Sequence, residues 1–347
     1  MKEHIIDIKS SILDALKKIN ELSDGVLTLF VIDNRKKMVG SLTDGDIRRS
    51  MICGASSDDA VKLAMNSNFA FIKKNELNTV VKIREIKQAG IQLVPILDSN
   101  RRIVNIINLR QRKTVLPIDA ILMAGGKGVR LRPLTENTPK PLLPVGTKAI
   151  IDHNVDRLIS YGIQHISVTV NYLHEQIEQH YEKRRNGVKI DCVLEPSYLG
   201  TIGAITYVKK FYNDTILIMN SDLFTNIDYE DFYLHFVESN ADMSVAAVPY
   251  SVSVPYGIFN IEGGNILGVQ EKPVFNYFAN AGIYLIKRKL INDIPKEIYY
   301  DATDLLTNLI NKKKKVIRYP ITGFWLDIGN IDEYKKAKEL VKHVNSI

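Results

Sequence analysis

Cysteine is scarce in this sequence of 347 residues, and the two that occur, Cys53 and Cys192, lie far apart in the chain. So few thiols exclude a disulfide-rich secreted domain, and without metal-ligand spacing they do not form a zinc motif. The sequence also lacks the run of about 18 apolar residues that a membrane-spanning helix requires, and its first residues lack the apolar core of a signal peptide. We therefore expect a reduced, cytoplasmic protein without a membrane partner.

The positive charge is unevenly distributed along the chain. The formal net charge is +7, and residues 1–115 hold all of the excess, with 20 Lys and Arg against 13 Asp and Glu. A basic module can attract an anionic ligand, although spare lysines on a solvated face explain the excess equally well. Nucleic-acid binding requires basic and aromatic residues grouped on one face, and the basic stretches here are too scattered. We expect no nucleic-acid partner.

An internal repeat occupies the first third of the chain. The segment LFVIDNRKKMVGSLTDGD (29–46) matches VPILDSNRRIVNIINLRQ (94–111) without a gap. Each copy predicts two strands joined by a polar turn. Each also follows a stretch with helical spacing that stops at a glycine, Gly25 or Gly90. The pattern predicts two copies of a small helix–hairpin unit.

This repeat resembles a pair of CBS motifs, mainly through GSLTDGDIRR. Members of that family commonly bind adenine nucleotides as regulators, and the resemblance implies that Thr43 and Asp46 hold the phosphate and ribose. The second copy departs from the pattern, because Asn108 and Gln111 occupy the matching positions. Residues 1–115 are therefore predicted to be a CBS-motif pair. It is either regulatory, with one intact nucleotide site, or structural, as a platform for oligomerisation.

After a polar connection that contains Pro117, the pattern changes to apolar strands alternating with amphipathic helices. Such alternation predicts an α/β domain with a Rossmann-like, mainly parallel sheet and helices on both faces. Strands that are apolar throughout fit burial on both sides of that sheet. Residues 116–347 are predicted to form this domain, and its expected helices cover residues 149–162, 173–187 and 203–212.

The first strand of this domain leads into AGGKGVRLRPLTENTPKP, a loop rich in glycine and positive charge. Ligands of open α/β sheets bind beyond the carboxyl ends of the strands, where glycines let backbone N–H groups approach an anion. Arg130, Arg132 and Lys140 can add charge-assisted contacts to phosphate. The Walker pattern is absent, and Leu131 replaces the third glycine of the dinucleotide motif. The loop therefore predicts a polyphosphate ligand of another kind.

The same loop resembles the signature GGxGxRLxPLTxxxPKP of the sugar-phosphate nucleotidyltransferases, with Val129 where threonine is common. Further segments resemble that family's motifs in the same order: EPSYLGTIGAI, ILIMNSDLF, VQEKP, NAGIYLI and GFWLDIGNIDEY. The last of them carries Asn330 in place of threonine. The resemblance covers the chain from the glycine loop to near its C-terminus, and the effect of the two departures on the rate stays open.

The resemblance implies a reaction between a nucleoside triphosphate and a sugar 1-phosphate. The sugar phosphate attacks the α-phosphorus and pyrophosphate leaves, without a protein nucleophile. Four catalytic residues are implied, with Mg²⁺ held by the two carboxylates: Arg130, Lys140, Asp222 and Asp327. The nucleotide is expected against Ala124, Gly125, Gly126, Gly128, Glu195 and Gly200. The sugar and its phosphate are expected against Glu271, Lys272, Asn280 and Gly282.

The choice of base rests on Glu195, which lies where the family reads the base edge. A carboxylate only accepts hydrogen bonds, and guanine offers two neighbouring donors where uracil and thymine offer one. This favours GTP. Nucleotidyltransferases that use UTP, dTTP or CTP remain alternatives.

The order of the two domains resembles that of bacterial guanylyltransferases, including those of legionaminic acid biosynthesis. That resemblance implies glucosamine 1-phosphate as the acceptor and GDP-glucosamine as the product, with Glu271 as a candidate partner for the amine. Guanylyltransferases for mannose and heptose phosphates share the same order, and a catalytically inactive nucleotide sensor is a minor alternative. Because family members commonly form dimers or tetramers, a homo-oligomer is also expected.

Overall fold

The chain folds into two compact units, which meet in sequence after Val115. This computed structural model describes residues 2–74, 76 and 78–344. The predicted domain ranges 1–115 and 116–347 begin at Met1 and end at Ile347, which lie outside the described residues. In the described part of the chain, no helix combines the length and apolar character needed to cross a membrane.

The first unit contains two similar halves, each with a three-stranded sheet and a helix before its hairpin, and the first half has a further helix after the hairpin. In each half a parallel pair of strands is followed by an antiparallel hairpin. Both hairpins shift register at the corresponding place, Val31/Ile32 and Ile96/Leu97. The elements are β1 Ile5–Asp7, α1 Ile12–Asn20, β2 Thr28–Ile32, β3 Met38–Thr43, α2 Asp44–Ile52, β4 Ile72–Lys73, α3 Thr79–Gln88, β5 Leu93–Leu97 and β6 Ile103–Asn108. The strands predicted from the repeat are present in both halves.

Helix α1 shows why these segments fold as they do. Ser11 and Asp14 form a capping box that satisfies free N–H groups of its first turn. Its apolar stripe, with Ile12, Ala15 and Ile19, is buried against the sheet of the same half. The predicted helical spacing therefore describes the face that α1 buries.

The second unit is built on a central sheet of seven strands, as counted among the described residues. Their order is β11-β10-β7-β12-β17-β14-β18. Within this sheet β17 runs antiparallel to its two neighbours, and the remaining pairings are parallel. The strands are β7 Ile118–Ala124, β8 Pro144–Val145, β9 Lys148–Ala149, β10 His165–Val170, β11 Ile190–Leu194, β12 Thr215–Asn220, β13 Leu223–Thr225, β14 Met243–Ser253, β15 Ile258–Glu262, β16 Asn265–Gln270, β17 Val274–Lys287, β18 Val316–Pro320 and β19 Trp325–Asp327. The predicted α/β domain with a mainly parallel sheet is confirmed.

Helices and strand ends of this unit surround two apolar clusters. One lies around Ile218, Tyr284 and Leu305, and the other around Leu131, Ile150 and Ile328. The helices are α4 Ile150–Ser160, α5 His174–His180, α6 Tyr229–Glu238, α7 Ala302–Asn311 and α8 Ile331–Val344. The second cluster packs beneath the glycine loop and near β19, so it supports the residues at the carboxyl end of the sheet.

Two of the predicted helices are wrong in extent. Residues 203–212 form only a 3-10 turn, Gly203–Tyr207, because Val208 takes an extended conformation with ψ of 115° and ends the turn. The predicted helix over 173–187 ends at His180. Beyond it, Asn186 and Gly187 take positive φ in a turn, a conformation that no helix contains.

Strands β14 and β17 continue well beyond the central sheet. Their outer parts pair only with each other among the described residues, and the hairpin β15–β16 joins their ends. We call residues 248–280 the arm. No residue of the arm is buried.

Candidate active site

The glycine loop follows β7 and forms one wall of a cavity of about 360 Å³. At Gly125 the loop passes so close to another segment that an added Cβ would lie 1.8 Å from Glu195 Oε1. At Gly128, which has φ of 60°, Thr135 Oγ1 donates to the carbonyl at 2.8 Å and holds the turn. The backbone of the loop is therefore free of side chains at these glycines, at the end of a parallel strand, as the sequence predicts.

The cavity brings together residues from five separate parts of the second unit. Its size falls in the range of small-molecule sites, which is about 300–1,000 Å³. The residues predicted to be catalytic or to form the nucleotide site line it: Ala124, Gly125, Gly126, Gly128, Arg130, Lys140, Glu195, Gly200, Asp222 and Asp327. The structure therefore places these residues around one cavity, while the role of each residue stays a prediction. Arg132, which the sequence also offers for contact with phosphate, is exposed and does not line the cavity.

An ion pair between Lys140 and Asp222 crosses the cavity. Lys140 Nζ donates to Asp222 Oδ2, and the lysine side chain is only 11% exposed. The other carboxylate oxygen, Asp222 Oδ1, is buried and receives no hydrogen bond from the described residues. A buried charged oxygen without a partner is costly, which indicates that it is kept for a ligand.

Asp327 faces the same place from β19, whose pairing with β13 sets it opposite Leu223. Burial raises the pKa of Asp327, the nearby charge of Asp222 raises it further, and Lys140 and Arg130 oppose the shift. Two neighbouring carboxylates that repel each other fit a divalent cation with oxygen ligands. The described residues contain no group of three or more His, Cys, Asp or Glu that could hold a metal. A cation at this site would therefore depend on Asp222, Asp327 and phosphate oxygens.

Arg130 lies exposed at the rim of the cavity, in a short 3-10 turn at Val129–Leu131. Its guanidinium approaches Gly329, where an added Cβ would lie 3.2 Å from Nη2. The guanidinium is thus placed between the glycine loop and the segment that carries Asp327. An accessible arginine there can form paired hydrogen bonds with a phosphate.

Glu195 is buried at the opposite wall, and burial raises the pKa of its carboxyl group. Leu199 N donates to Oε2 at 3.1 Å, while Oε1 lies beside Gly125. One oxygen is therefore committed to the protein backbone and the other remains at the glycine loop. The prediction that Glu195 reads a base edge rests on that second oxygen.

The four predicted sugar residues do not line this cavity. Glu271 and Lys272 form the exposed turn between β16 and β17. Asn280 bonds Tyr284 Oη and Gly282 N within β17. Gly282 packs against Asn220, which lines the cavity. An added Cβ at Gly282 would lie 2.6 Å from Asn220 Nδ2. Glu271 and Lys272 do not line this cavity, and their role in sugar binding stays a prediction.

Several residues of the cavity lining were not singled out from the sequence. Asn220 and Ser221 lie in the quoted segment ILIMNSDLF, directly before Asp222, so their position could have been found there. Tyr198 and Thr201 flank the predicted Gly200 in EPSYLGTIGAI. Thr169, at the end of β10, carries no local signal in the sequence.

A buried amide on α4 supports the segment that carries Asp222. Asn154 is 2% exposed, and its Nδ2 donates to Leu223 O at 2.8 Å and to Ser221 O at 3.3 Å. The two carbonyls flank Asp222 on either side. Asn154 therefore fixes the backbone from which the carboxylate projects.

Replacing Asn154 by leucine should lower the free energy of unfolding by about 2 kcal/mol, because two carbonyls lose a buried donor. It should also raise the Mg²⁺ concentration needed for half-maximal activity, since Asp222 loses its support. Chemical denaturation and a Mg²⁺ titration of the reaction measure the two effects. The exposed Asn292 supplies the control substitution Asn292→Leu. A stability loss without any change in Mg²⁺ dependence would contradict a positioning role.

Replacing Asp327 by asparagine should stabilise the metal-free protein at neutral pH. The raised pKa means that the ionised carboxyl is disfavoured in the folded state, so its charge costs stability above that pKa. The cost vanishes once the pH falls well below the ordinary value of 3.8, where the group is protonated in both states. Melting temperatures of both proteins in EDTA, at neutral pH and near pH 3, test this difference. An asparagine variant that melts lower at neutral pH would disprove it.

In the first unit, Thr43 and Asp46 form the capping box of α2. Thr43 Oγ1 donates to Asp46 Oδ2 at 2.7 Å, and Arg49 Nη2 donates to Asp46 Oδ1 at 2.6 Å. All three side chains line a second cavity of about 370 Å³. The position that matches Thr43 in the second half is Asn108, whose amide donates to Asp24 Oδ2 at 2.8 Å. The regulatory adenine nucleotide predicted at Thr43 and Asp46 stays a prediction.

Comparison with known proteins adds to this geometry. A family model described as "Nucleotidyl transferase" matches residues 119–343, and one described as "CBS domain" matches residues 2–52. A putative mannose-1-phosphate guanyltransferase of Sulfolobus acidocaldarius is 28% identical over 223 residues, which cover 63% of this chain and 62% of the relative. The chain therefore spans less than two thirds of that protein's length.

Two further relatives differ in the nucleotide that their names give. The D-glycero-alpha-D-manno-heptose 1-phosphate guanylyltransferase of Aneurinibacillus thermoaerophilus is 25% identical, covering 65% of this chain and 99% of the relative. A crystal structure of a putative glucose-1-phosphate thymidylyltransferase from Bacillus anthracis, in complex with a sucrose, is 26% identical. It aligns with a TM-score of 0.53, over 65% of this chain and 95% of that one.

Proposed function

The chain belongs to the nucleotidyl transferase family, and from that membership we propose that it transfers a nucleotidyl group from a nucleoside triphosphate to a sugar 1-phosphate. The observation that carries this proposal is the single cavity that joins the glycine loop to Arg130, Lys140 and two carboxylates. Such a site offers backbone donors and cations for phosphate but no activated nucleophile. It suits a reaction between two bound anions, in which positioning and charge neutralisation do the catalysis.

In the proposed reaction, an oxygen of the sugar phosphate forms a bond to the α-phosphorus. The bond from that phosphorus to the bridging oxygen of the β-phosphate breaks, and pyrophosphate leaves with the electron pair. Arg130, exposed at the rim, neutralises the leaving pyrophosphate. Lys140, held by Asp222, places a positive charge between the α-phosphate and the sugar phosphate. Gly125, Gly126 and Gly128 admit the triphosphate close to the backbone.

Mg²⁺ is the proposed cofactor, bound by Asp222 and Asp327. When bound, it neutralises the charge of the two polyanions and orients their oxygens. The buried, unbonded Asp222 Oδ1 supports this assignment, as does the raised pKa of Asp327. Asp222 and Asp327 would hold the cation, and their mutual repulsion would be relieved when it is bound.

GTP is the proposed nucleotide, read by Glu195 Oε1 while Oε2 stays bonded to Leu199 N. The names of two of the relatives, a guanyltransferase and a guanylyltransferase, support this choice. The third relative is named for thymidylyl transfer, so UTP, dTTP and CTP remain the alternatives.

Glucosamine 1-phosphate is the proposed sugar, with GDP-glucosamine as the product for legionaminic acid or another surface glycan. Mannose 1-phosphate and heptose 1-phosphate are the alternatives, in line with the names of the relatives. The first unit, which contains a CBS domain, is proposed to bind an adenine nucleotide at Thr43 and Asp46 or to help assemble a homo-oligomer in the cytoplasm.

Pyrophosphate release tests the proposal. Purified protein and Mg²⁺ are mixed with each nucleoside triphosphate and, in turn, glucosamine, mannose, N-acetylglucosamine and glucose 1-phosphates. Release with GTP and glucosamine 1-phosphate alone supports the full proposal. Release with another pair of substrates supports the proposed reaction but contradicts the proposed nucleotide or the proposed sugar. No release with any pair, with or without AMP or ATP, favours a nucleotide sensor without catalytic activity.

A further inference from the structure

The arm has no core of its own in the described chain. Every residue from 248 to 280 is exposed or only partly buried, although the segment consists largely of paired strands. A two-stranded ribbon without an apolar partner is marginally stable in water. Such a ribbon is stabilised when another surface covers it.

The pairing of the strands shows which face would be covered. Residues directly opposite each other in an antiparallel pair project to the same side. In the outer part of β14 and β17, Tyr250 pairs with Tyr277 and Val252 with Phe275. These four residues define what we call the ribbon face. The residues between them, Ser251 and Asn276, hydrogen bond to each other on the other side.

The hairpin at the end of the arm shows the same alternation. Phe259 pairs with Val269, and Ile261 pairs with Ile266. These four residues define the hairpin face, whereas the intervening Asn260 lies on the opposite side, across from Gly268. Antiparallel strands with apolar and polar residues in alternation normally pack their apolar side against a core. In the described residues, nothing covers this side.

The exposed apolar area of the arm is large enough for a stable interface. All eight side chains of the ribbon face and the hairpin face are at least 36% exposed. Aromatic side chains bury about 150–250 Å² each when fully covered, so eight large side chains that are about half exposed present roughly 800 Å². One partner contributes about 800 Å² to a standard protein interface. The largest apolar patch of a typical monomer is smaller, at about 300–600 Å².

The charge of the arm favours another copy of the chain over a membrane. Between residues 250 and 278 the charged residues are Glu262, Glu271 and Lys272, whereas charged residues make up 24% of the whole chain. A membrane-binding surface usually adds lysine and arginine around its apolar face, and the arm does not. A nearly neutral, aromatic patch is compatible with itself, as a two-fold symmetric interface requires.

We propose that the arm is the homodimer interface, in which the ribbon face and the hairpin face pack against the same faces of a second copy of this chain. The inference rests on the homo-oligomer proposed above and names its contact surface. It does not depend on the catalytic reaction, which pyrophosphate release tests separately.

The test compares two substitutions on one strand, in the full chain. Phe259→Lys combined with Ile261→Lys places charges on the hairpin face, and Asn260→Lys places the same charge on the opposite side. Sedimentation equilibrium should give a dimer for the wild type and for Asn260→Lys at micromolar concentrations. The double variant should dimerise at least about 100-fold more weakly, as expected when central apolar contacts are lost. Circular dichroism checks that each variant is folded.

Each other result is decisive as well. A wild type that is monomeric throughout overturns both the homo-oligomer and its interface. A dimer that the double variant leaves intact overturns this interface alone. Cosedimentation of the wild type with phosphatidylcholine–phosphatidylglycerol vesicles, lost in the double variant, would replace the second copy by a membrane. If the double variant unfolds, hydrogen exchange decides. Amides of residues 258–270 should exchange more slowly in concentrated than in diluted wild-type protein, and equal rates overturn the proposal.

Discussion

Asp222→Asn should lower kcat/KM for pyrophosphate release by about 100- to 1,000-fold, the size of effect seen when one charge-stabilising group is removed from an active site. Asparagine keeps the shape of the side chain but removes its charge. The substitution therefore deprives a divalent cation of one of two carboxylates and leaves the nearly buried Lys140 without its partner. The free energy of unfolding should fall as well, since an unpaired buried charge is strongly destabilising.

The control is Asp191→Asn. It is the same conservative substitution, and it removes a negative charge from an exposed ion pair with Lys189. Surface pairs of this kind contribute little, so both stability and rate should stay close to those of the wild type. Initial rates over a series of Mg²⁺ concentrations separate weak cation binding from a damaged chemical step. A variant at position 222 that retains more than a tenth of the activity would contradict the proposed site.

Lys140→Met should lower kcat by about 100- to 1,000-fold, because the positive charge between the two proposed phosphates disappears. Methionine preserves much of the length and apolar contact of the lysine stem. The neighbouring Lys127, in the same glycine loop but outside the cavity lining, supplies the control Lys127→Met. That control should change kcat by less than about threefold, as for most surface substitutions.

The combination of Asp222→Asn with Lys140→Met carries further information. The two side chains form one ion pair, so their effects should not add. The double variant should be more stable than Asp222→Asn alone, because it no longer contains an unpaired buried lysine. Rates or stabilities that simply multiply or add would show that the two residues act independently.

The glycine loop and the two carboxylates could be predicted because each lies in a short sequence motif. Gly125 and Lys140 lie in one signature, Asp222 lies two residues after the end of β12, and Asp327 ends β19. The topology of a parallel sheet then brings strand ends to a common edge. The resemblance to the family's motifs was needed to single out the two carboxylates, and it did not reach Thr169, which also lines the cavity.

Other parts depend on contacts between distant segments, which no local pattern contains. Residues 203–212 have the composition of a helix, yet Val208 is extended and Tyr212 N donates to the side chain of Asp119, more than ninety residues earlier in the chain. In the sequence, nothing distinguishes Asn154 from the other polar residues of α4. Its role follows only from the two distant carbonyl groups to which it donates hydrogen bonds. The exposure of the arm is of the same kind, since alternation predicts a buried face but not where its cover comes from.

Gly125 and Glu195 restrict what each position can become over evolutionary time. A methyl group at position 125 would overlap the carboxylate at 195, so Gly125→Ala requires that side chain to move or to shorten. Homologous chains with a larger residue at the first position should then carry a shorter one at the second. If Glu195 selects the base, a single methyl group on the glycine loop would oblige a lineage to change its nucleotide.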